Sequence, residues 1–331
     1  MKSHRNTLLA AAFYATISCH AGLAQTPPAA ILQVDVENLV RYTEDVSDPS
    51  IFGTLPGPTT PAAAKNLTAQ IQLGDIVAVN GQPAKGQYSF YARGIGVTSN
   101  GVTINDTIRT TVRVLDLEIL KPDGTPIGTI MTTGLTGGAG PPGAPLAVTQ
   151  GNHTVAGGTG AFLGVRGQLG DTPSTTAVRS ASLTEDPASR RLFGGGKSRL
   201  ILHLIPMSWP QVVSMPNGPA IFHADFLPVT AVRPASSGEV LIVRATGLGP
   251  TVPGVDPGQP FPVDVIQRVN SPLAVSVNGK PADVVNGIGW PGQVDTYRVD
   301  FRVPDGTAPG TATIQLTAAW IAGSAVGIPV Q

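Results

Sequence analysis

The chain contains little cysteine and few charged side chains. Its one cysteine, Cys19, lies near the N-terminus, so residues 25–331 hold none. Those residues therefore offer no disulfide framework, no thiolate nucleophile and no cysteine-based metal site. Charged residues make up 13% of the chain, which is half of the ~25% that is usual for soluble proteins. This composition argues against a highly charged helical protein.

Charge balance and histidine content exclude further classes of function. Basic and acidic residues number 21 each, so the chain has no electrostatic footprint for nucleic acid. Residues 25–331 contain only His153, His203 and His223, for which we expect structural or surface roles. There is no Gly-x-Ser-x-Gly motif and no spacing typical of a zinc or calcium site. We therefore predict no catalytic residue, no metal and no other cofactor.

The N-terminal residues 1–24 are typical of a secretory signal peptide. Lys2 and Arg5 precede a mostly apolar run at residues 8–17, and Ala24 ends a small-residue cleavage pattern. The apolar run is shorter than the ~20 residues that span a bilayer. Glycine, proline or charge interrupts every other apolar run. We expect cleavage near Ala24 and a secreted or cell-envelope protein without a membrane span.

The rest of the chain is rich in turn formers and β-formers. It holds 40 glycines and 31 prolines, and valine, isoleucine and threonine are frequent, which favours an all-β protein. Residues 86–95 alternate, with Tyr88 and Phe90 on one face and Tyr91 and Arg93 on the other. Eight or so such strands between residues 31 and 205, without a helical period, favour an eight-stranded closed barrel.

A glycine-rich stretch at residues 152–169 marks this first domain. Two apolar runs, 153–156 and 161–165, flank a glycine break, which predicts two β-segments hinged at glycine. The stretch resembles the G-G-T-G-x-F-x-x-x-R-G motif of the dirigent and allene oxide cyclase barrel superfamily. The matching positions are Gly157, Gly158, Thr159, Gly160, Phe162, Arg166 and Gly167. The motif marks a fold and not a catalytic site, and we favour a strand-end ion pair with a carboxylate for Arg166.

Residues 206–331 form the second part of the chain. Residues 206–234 contain six prolines and are predicted as a semi-rigid connector that packs on one domain. Residues 235–331 contain about seven short strands and an Asn278-Gly279 hairpin turn, as in an immunoglobulin-like sandwich. Their motifs, such as G-L-G-P-T from Gly247, resemble the IPT/TIG-type C-terminal module of secreted bacterial proteins. That resemblance implies an appended, non-catalytic role.

Polar residues on the barrel strands are the candidate ligand-binding residues. They are Tyr91, Arg93, Arg109 and Arg113. A polar side chain that faces the barrel interior is costly unless it is paired or binds a ligand. Two interpretations stay open. Either these side chains face solvent around an apolar interior, or some of them line a cavity for a small, partly apolar molecule.

The leading hypothesis is a secreted or envelope-exposed, non-enzymatic binding or interaction protein. Its partner would be a small apolar ligand in the barrel, or a glycan or protein at a cell surface. The alternative, which the barrel resemblance implies, is a cofactor-free barrel that steers the cyclisation or coupling of a small hydrophobic substrate. A purely structural extracellular role also stays open. The resemblance further implies a homo-oligomer.

Overall fold

The computed structural model describes residues 30–45, 66–96, 112–135, 150–172, 176–182 and 184–331. The predicted signal peptide and Arg109 lie outside these described residues. Strands dominate these residues, and the helical segments within them are two 3-10 helices, Gly160–Phe162 and Pro187–Phe193. The prediction of an all-β protein is confirmed. Within the described residues, no helix has the length and apolar character needed to cross a membrane.

Eight antiparallel strands close into a barrel in the order in which they follow along the chain. They are β1 (Ala30–Asp45), β2 (Asn66–Val79), β3 (Lys85–Gly96), β4 (Val112–Leu120), β5 (Pro126–Leu135), β6 (Gln150–Gly158), β7 (Arg166–Asp171) and β8 (Gly196–Ile205). β8 pairs with β1 and closes the ring. Two short strands extend it, Gln82–Pro83 beside β2 and Arg179–Ser180 beside β1. The predicted eight-stranded closed barrel is confirmed.

Alternation along the strands places apolar side chains inside the barrel. On β3, Tyr88, Phe90 and Ala92 are buried while Tyr91 and Arg93 are exposed, as predicted. Fully buried leucine and isoleucine side chains of β1, β4, β5 and β8 fill much of the interior. They are Leu32, Leu39, Leu115, Leu117, Ile119, Ile127, Ile130, Leu200, Leu202 and Leu204. Much of the interior is therefore a packed apolar core.

The two ends of the barrel differ in their connections. One end has short turns, including the Asn80-Gly81 turn predicted after β2, where both residues have positive φ. At the opposite end, the ends of β1 and β2, of β3 and β4, of β5 and β6, and of β7 and β8 are separated by longer stretches of sequence. We call these the short-turn end and the long-connection end.

The glycine-rich stretch differs from the prediction in its second half. Residues 161–165 are a turn and not a strand, since Gly160–Phe162 is a 3-10 segment and β7 begins only at Arg166. The backbone N–H of Phe162 bonds the carbonyl of Thr159 at 3.1 Å, and the phenyl ring is buried in the barrel core. Burial of one aromatic side chain at a tight turn therefore outweighs the β-propensity of the run. No ion pair between described residues includes Arg166, whose side chain is exposed.

A second large sheet follows the barrel. Its main strands are β9 (Val240–Thr246), β10 (Leu273–Val277), β11 (Lys280–Gly289), β12 (Tyr297–Arg302), β13 (Gly310–Ala318) and β14 (Val326–Val330). β11 pairs with β10 through its first residues and with β12 through the rest. Asn278 and Gly279 have positive φ at the predicted hairpin turn. Tyr297, Val299 and Phe301 are buried in one apolar core.

Two pairs of residues from the predicted connector join this second sheet. Gln211–Val212 and Ile221–Phe222 both pair with β9.

A turn from the second sheet also reaches the barrel. Residues 319–321 contribute buried side chains to the barrel core. Asn270 Nδ2 also donates to the carbonyl oxygen of Pro126 at 2.7 Å. The short-turn end of the barrel is therefore covered by loops of the second sheet.

Candidate ligand-binding site in the barrel

Polar side chains lie on the inner face of the barrel, in the half nearer the long-connection end. Among them are Arg41, Gln72, Arg113, Thr132 and His153, which we call the inner polar layer. Gln72, Thr132 and His153 are buried. These residues come from β1, β2, β4, β5 and β6. Strand pairing, and not closeness in sequence, therefore builds the layer.

The register of the strands fixes the orientation of Arg41 and Gln72. Directly paired residues of antiparallel strands point to the same face. Arg41 pairs with Gln72, and Gln72 pairs with Phe90, which is part of the barrel core. All three therefore face inward.

A bulge in β1 is the reason that Arg41 faces inward. The register of β1 against β2 shifts after Glu37, where Asn38 has φ of 53°. Leu32, Val34 and Val36 face inward before the bulge, so plain alternation would turn Arg41 outward. The extra residue reverses the faces.

Arg113 and His153 lie on either side of Gly134. Arg113 pairs with Gly134 and Gly134 pairs with His153, so the two side chains share the inner face across a residue that has none. The guanidinium carbon of Arg113 lies 5.4 Å from the centroid of the Phe90 ring, within the range of a cation–π interaction. The Arg113 charge is thus held inside the barrel wall against an aromatic face.

His153 is neutral at neutral pH. It is 2% exposed, and burial together with the charge of Arg113 lowers its pKa to about 4. A neutral imidazole has one N–H donor and one acceptor nitrogen. It is a weak base at neutral pH. It therefore suits hydrogen bonding to a ligand better than general base catalysis.

Several buried polar atoms of the layer have no hydrogen-bond partner. They are Nε of Arg41, Oγ1 of Thr132 and Nδ1 of His153, and Thr132 is only 1% exposed. Buried polar groups in folded proteins are nearly always hydrogen-bonded, because an unsatisfied group costs about 1–3 kcal/mol. Three such atoms on one inner surface indicate a place where a polar group of a ligand would be bound.

The four residues predicted to bind a ligand are placed differently from one another. Arg113 belongs to the inner polar layer. Tyr91, which is 41% exposed, and Arg93 lie on the outer face of β3, so neither can contact a ligand inside the barrel. Arg109 lies outside the described residues. Of the three that the structure describes, it therefore brings Arg113 alone into the site, and ligand binding by Tyr91 or Arg93 stays a prediction.

Sequence reasoning missed the other members of the layer. The pattern of β4, in which Leu115, Leu117 and Ile119 alternate, places Arg113 on the inner face. His153 likewise alternates with buried Val155, so its position was open to the same argument. No comparable signal identified Arg41, because the bulge in β1 is a feature of the folded sheet.

The other two histidines take part in no comparable arrangement. His203 is half-buried on the outer face of β8, where its pairing partner Ile31 is exposed. His223 is buried in the second part of the chain, where Nδ1 lies 2.5 Å from Oε1 of Glu239. Over the part of the chain that the structure describes, no group of three or more His, Cys, Asp or Glu side chains is placed to hold a metal ion.

A cavity of about 420 Å³ lies on the outside of the barrel, over β1 and β8. Its charged lining residues pair with one another. Arg199 bonds both carboxylate oxygens of Asp35, and Lys197 bonds Glu37 at 2.6 Å. These ion pairs satisfy the charges of the cavity, whereas polar atoms of the inner polar layer lack partners. We therefore take the inner polar layer as the candidate site.

Comparison of the chain with models of protein families, with curated proteins and with solved structures gave no match.

Proposed function

We propose that the protein is a secreted or envelope-exposed, non-enzymatic binding protein whose barrel takes up a small molecule. The polar group of that molecule would contact the inner polar layer, and its apolar part would pack on neighbouring core side chains. The three buried polar atoms without partners, on Arg41, Thr132 and His153, carry the proposal. A ligand that supplies hydrogen bonds to them would remove an energetic cost that the free protein bears.

The chemistry of the layer favours a ligand rich in hydrogen-bond acceptors. Arg41 and Arg113 are permanent cations with donor groups only. Phe90 and Leu115 lie beside Arg113 on the inner face and offer apolar contact. A partly apolar molecule with a carboxylate or several oxygen atoms would match both properties.

A second candidate function is a cofactor-free barrel that steers the cyclisation or coupling of such a molecule. The neutral imidazole of His153 beside a cation supports it, because a buried hydrogen-bond donor next to a positive charge can stabilise negative charge that develops on an oxygen. Under this proposal the barrel would be a member of the dirigent and allene oxide cyclase superfamily. Its closed ring of eight antiparallel strands is compatible with that membership.

The remaining assignments are also part of the proposal. Secretion rests on the signal-peptide pattern of residues 1–24, and an IPT/TIG-type identity of the second sheet rests on its motifs and on the Asn278-Gly279 hairpin. A homo-oligomer rests on the barrel resemblance. The second sheet would act as an appended, non-catalytic unit whose partner is a cell-surface glycan or protein.

Native mass spectrometry of the full chain purified from culture supernatant or envelope tests the binding function. We expect a small-molecule adduct that Arg113→Met and His153→Gln remove. The matched controls are Arg93→Met and His203→Gln, which change the same residue types on the outer face and should keep the adduct. A clean apo mass of the folded wild-type protein, or an adduct that both inner variants retain, would rule the barrel out as the binding site. Release of the adduct in a chemically altered form would instead favour the steering function.

A further inference from the structure

A group of aromatic and arginine side chains lies on the outer side of the second sheet. It consists of Phe226, Arg244, Trp290, Gln293 and Arg298, which we call the aromatic–arginine patch. Arg244 is on β9, Arg298 is on β12, and Trp290 directly follows β11. The neighbours Val243 and Val299 face the apolar core, so the two arginines face away from it.

The two arginines of the patch are direct neighbours but differ in their partners. Arg244 and Arg298 pair across β9 and β12, an arrangement that like charges disfavour. Arg298 Nε donates to Oδ1 of Asp300 at 2.8 Å. Arg244 instead donates from a terminal nitrogen to Oε1 of Gln293 at 3.3 Å. No ion pair within the described residues includes Arg244, and its Nε is buried without a hydrogen-bond partner. Arg244 is therefore a positive charge that the fold leaves unmatched.

Aromatic rings flank both guanidinium groups. That of Arg244 lies 6.0 Å from the Trp290 ring centroid, and that of Arg298 lies 5.4 Å from the Phe226 centroid. Phe226 and Trp290 meet edge to face at 6.4 Å. Cations are thus fixed beside an aromatic surface, which pre-organises them for an anionic group.

The backbone of Phe226 is held in an unfavourable conformation. Its φ is 63° and its side chain is 50% exposed. A bulky residue seldom adopts positive φ, and such strain clusters at functional sites. The turn at residues 223–227 holds this conformation, since the N–H of Phe226 donates to the carbonyl of His223 and the N–H of His223 donates to the carbonyl of Leu227, both at 2.9 Å. The turn leaves Phe226 half exposed to solvent.

We infer that the aromatic–arginine patch binds an acidic glycan, a polysaccharide that contains uronic acid. The apolar face of a sugar ring would stack on Phe226 or Trp290, and its carboxylate would pair with Arg244. The side-chain N–H groups of Gln293 would donate to sugar hydroxyls, since its Oε1 is occupied by Arg244. An acidic peptide fits less well, because a run of carboxylate side chains offers no ring for the exposed aromatic surface.

Isothermal titration calorimetry of the full chain with oligogalacturonate tests this inference. Methyl-esterified oligogalacturonate is the matched neutral probe, because it keeps the sugar rings and removes the carboxylate charge. We expect binding of the acid and at least tenfold weaker binding of the ester. Arg244→Gln and Trp290→Ala should each weaken binding of the acid by about tenfold or more, since the first removes a charge-assisted contact and the second removes a stacking surface. Phe226→Leu serves as a second aromatic variant should Trp290→Ala fold poorly.

Arg302→Gln is the control variant. Arg302 lies on β12 as Arg298 does, is exposed, and bonds the carbonyl of Gly238, so its loss should leave binding unchanged. Arg113→Met should also bind normally, which separates this site from the barrel. Equal binding of acid and ester, equal binding of poly-glutamate, or no binding at millimolar concentration would each overturn the inference.

Discussion

The indole nitrogen of Trp320 donates a hydrogen bond to Oε1 of Gln82 at 3.0 Å, although the two residues are 238 positions apart in the chain. Trp320 belongs to a turn of the second sheet, and Gln82 belongs to the turn after β2. Trp320 is 9% exposed and packs into the barrel core. Ala319 and Trp320 both have positive φ, a conformation that non-glycine residues adopt only when their surroundings impose it. Ala318 pairs with Ile321 across this two-residue hairpin turn, whose geometry requires both positive φ values, and the barrel core buries Trp320.

Trp320→Ala should destabilise the protein strongly. Removal of a buried tryptophan leaves a cavity and typically costs about 3–5 kcal/mol, here at the contact between the two parts of the chain. Urea denaturation followed by circular dichroism measures this loss. Trp290→Ala is the control, because Trp290 is half-buried outside both cores and should cost about 1 kcal/mol or less. Equal losses for the two variants would show that Trp320 does not stabilise the contact.

Gly167→Ala should disrupt the barrel, whereas Gly157→Ala should not. Gly167 has φ of 148°, and a Cβ there would lie 1.9 Å from the carbonyl oxygen of His203. A Cβ at Gly157 would meet nothing within 4 Å. We expect Gly167→Ala to lower the free energy of unfolding by about 3 kcal/mol or more, or to prevent folding. Gly157→Ala should change stability by about 0.5 kcal/mol at most. Similar melting temperatures of the two variants would contradict this account.

Local patterns predicted the parts of the fold that depend on neighbouring residues. Alternation on β3 gave the faces of Tyr88 and Phe90, and the Asn80-Gly81 and Asn278-Gly279 pairs predicted turns because both positions need positive φ. The predictions of the closed barrel and the all-β class rest on the same local signals. Both predictions are confirmed, because the apolar face of each strand can be read from the alternation in its own sequence.

Features that depend on distant residues escaped sequence reasoning. Arg41 faces inward only because β1 bulges against β2, and Trp320 is buried only because the barrel lies beside its turn. The strand predicted at residues 161–165 was wrong because Phe162 is held by the core. In each case a tertiary contact outweighed a local propensity. The inner polar layer could be predicted only in part, through the alternation around Arg113 and His153.

Asp75→Asn should detach the segment that follows β7 from the barrel wall. The Asp75 carboxylate, mostly buried, accepts hydrogen bonds from Asn38, Arg190 and Arg191 at 2.6–2.9 Å. Burial alone would raise its pKa, but the hydrogen bonds from Arg191 and Asn38 and the charge of Arg190 hold the pKa below its ordinary value. Loss of the charge should lower the free energy of unfolding by about 2–3 kcal/mol. In limited proteolysis, the segment at residues 176–195 should be cut faster than in the wild type.

Glu37→Gln is the matched control for this prediction. Glu37 pairs with Lys197 at 2.6 Å, but both side chains are largely exposed. Such a pair contributes less than about 1 kcal/mol to stability. The variant should therefore have the same free energy of unfolding and the same resistance to proteolysis as the wild type. If Asp75→Asn behaved like Glu37→Gln, the Asp75 cluster would have no role in holding the segment.

The low pKa of His153 predicts a loss of stability in mild acid. In the folded protein its pKa is about 4, against an ordinary value of 6.5. Between pH 6.5 and pH 4 the unfolded chain therefore binds a proton that the folded protein does not, so the free energy of unfolding falls as the pH falls. The gap corresponds to roughly 3 kcal/mol at 1.36 kcal/mol per pKa unit. Below pH 4 both states bind the proton and this contribution falls no further.

His153→Gln should remove this part of the pH dependence, because glutamine does not titrate. Urea denaturation at pH 7, 5.5 and 4 gives the slope for each protein, and the difference between variant and wild type cancels the titration of the carboxylates. His203→Gln, on the outer face, should keep the wild-type slope. Arg113→Met should raise the pKa of His153 in an NMR titration, since it removes a repelling charge while burial persists. A His153 pKa near 6.5 in the wild type, or an unchanged slope in His153→Gln, would mean that the imidazole is not buried in the inner polar layer.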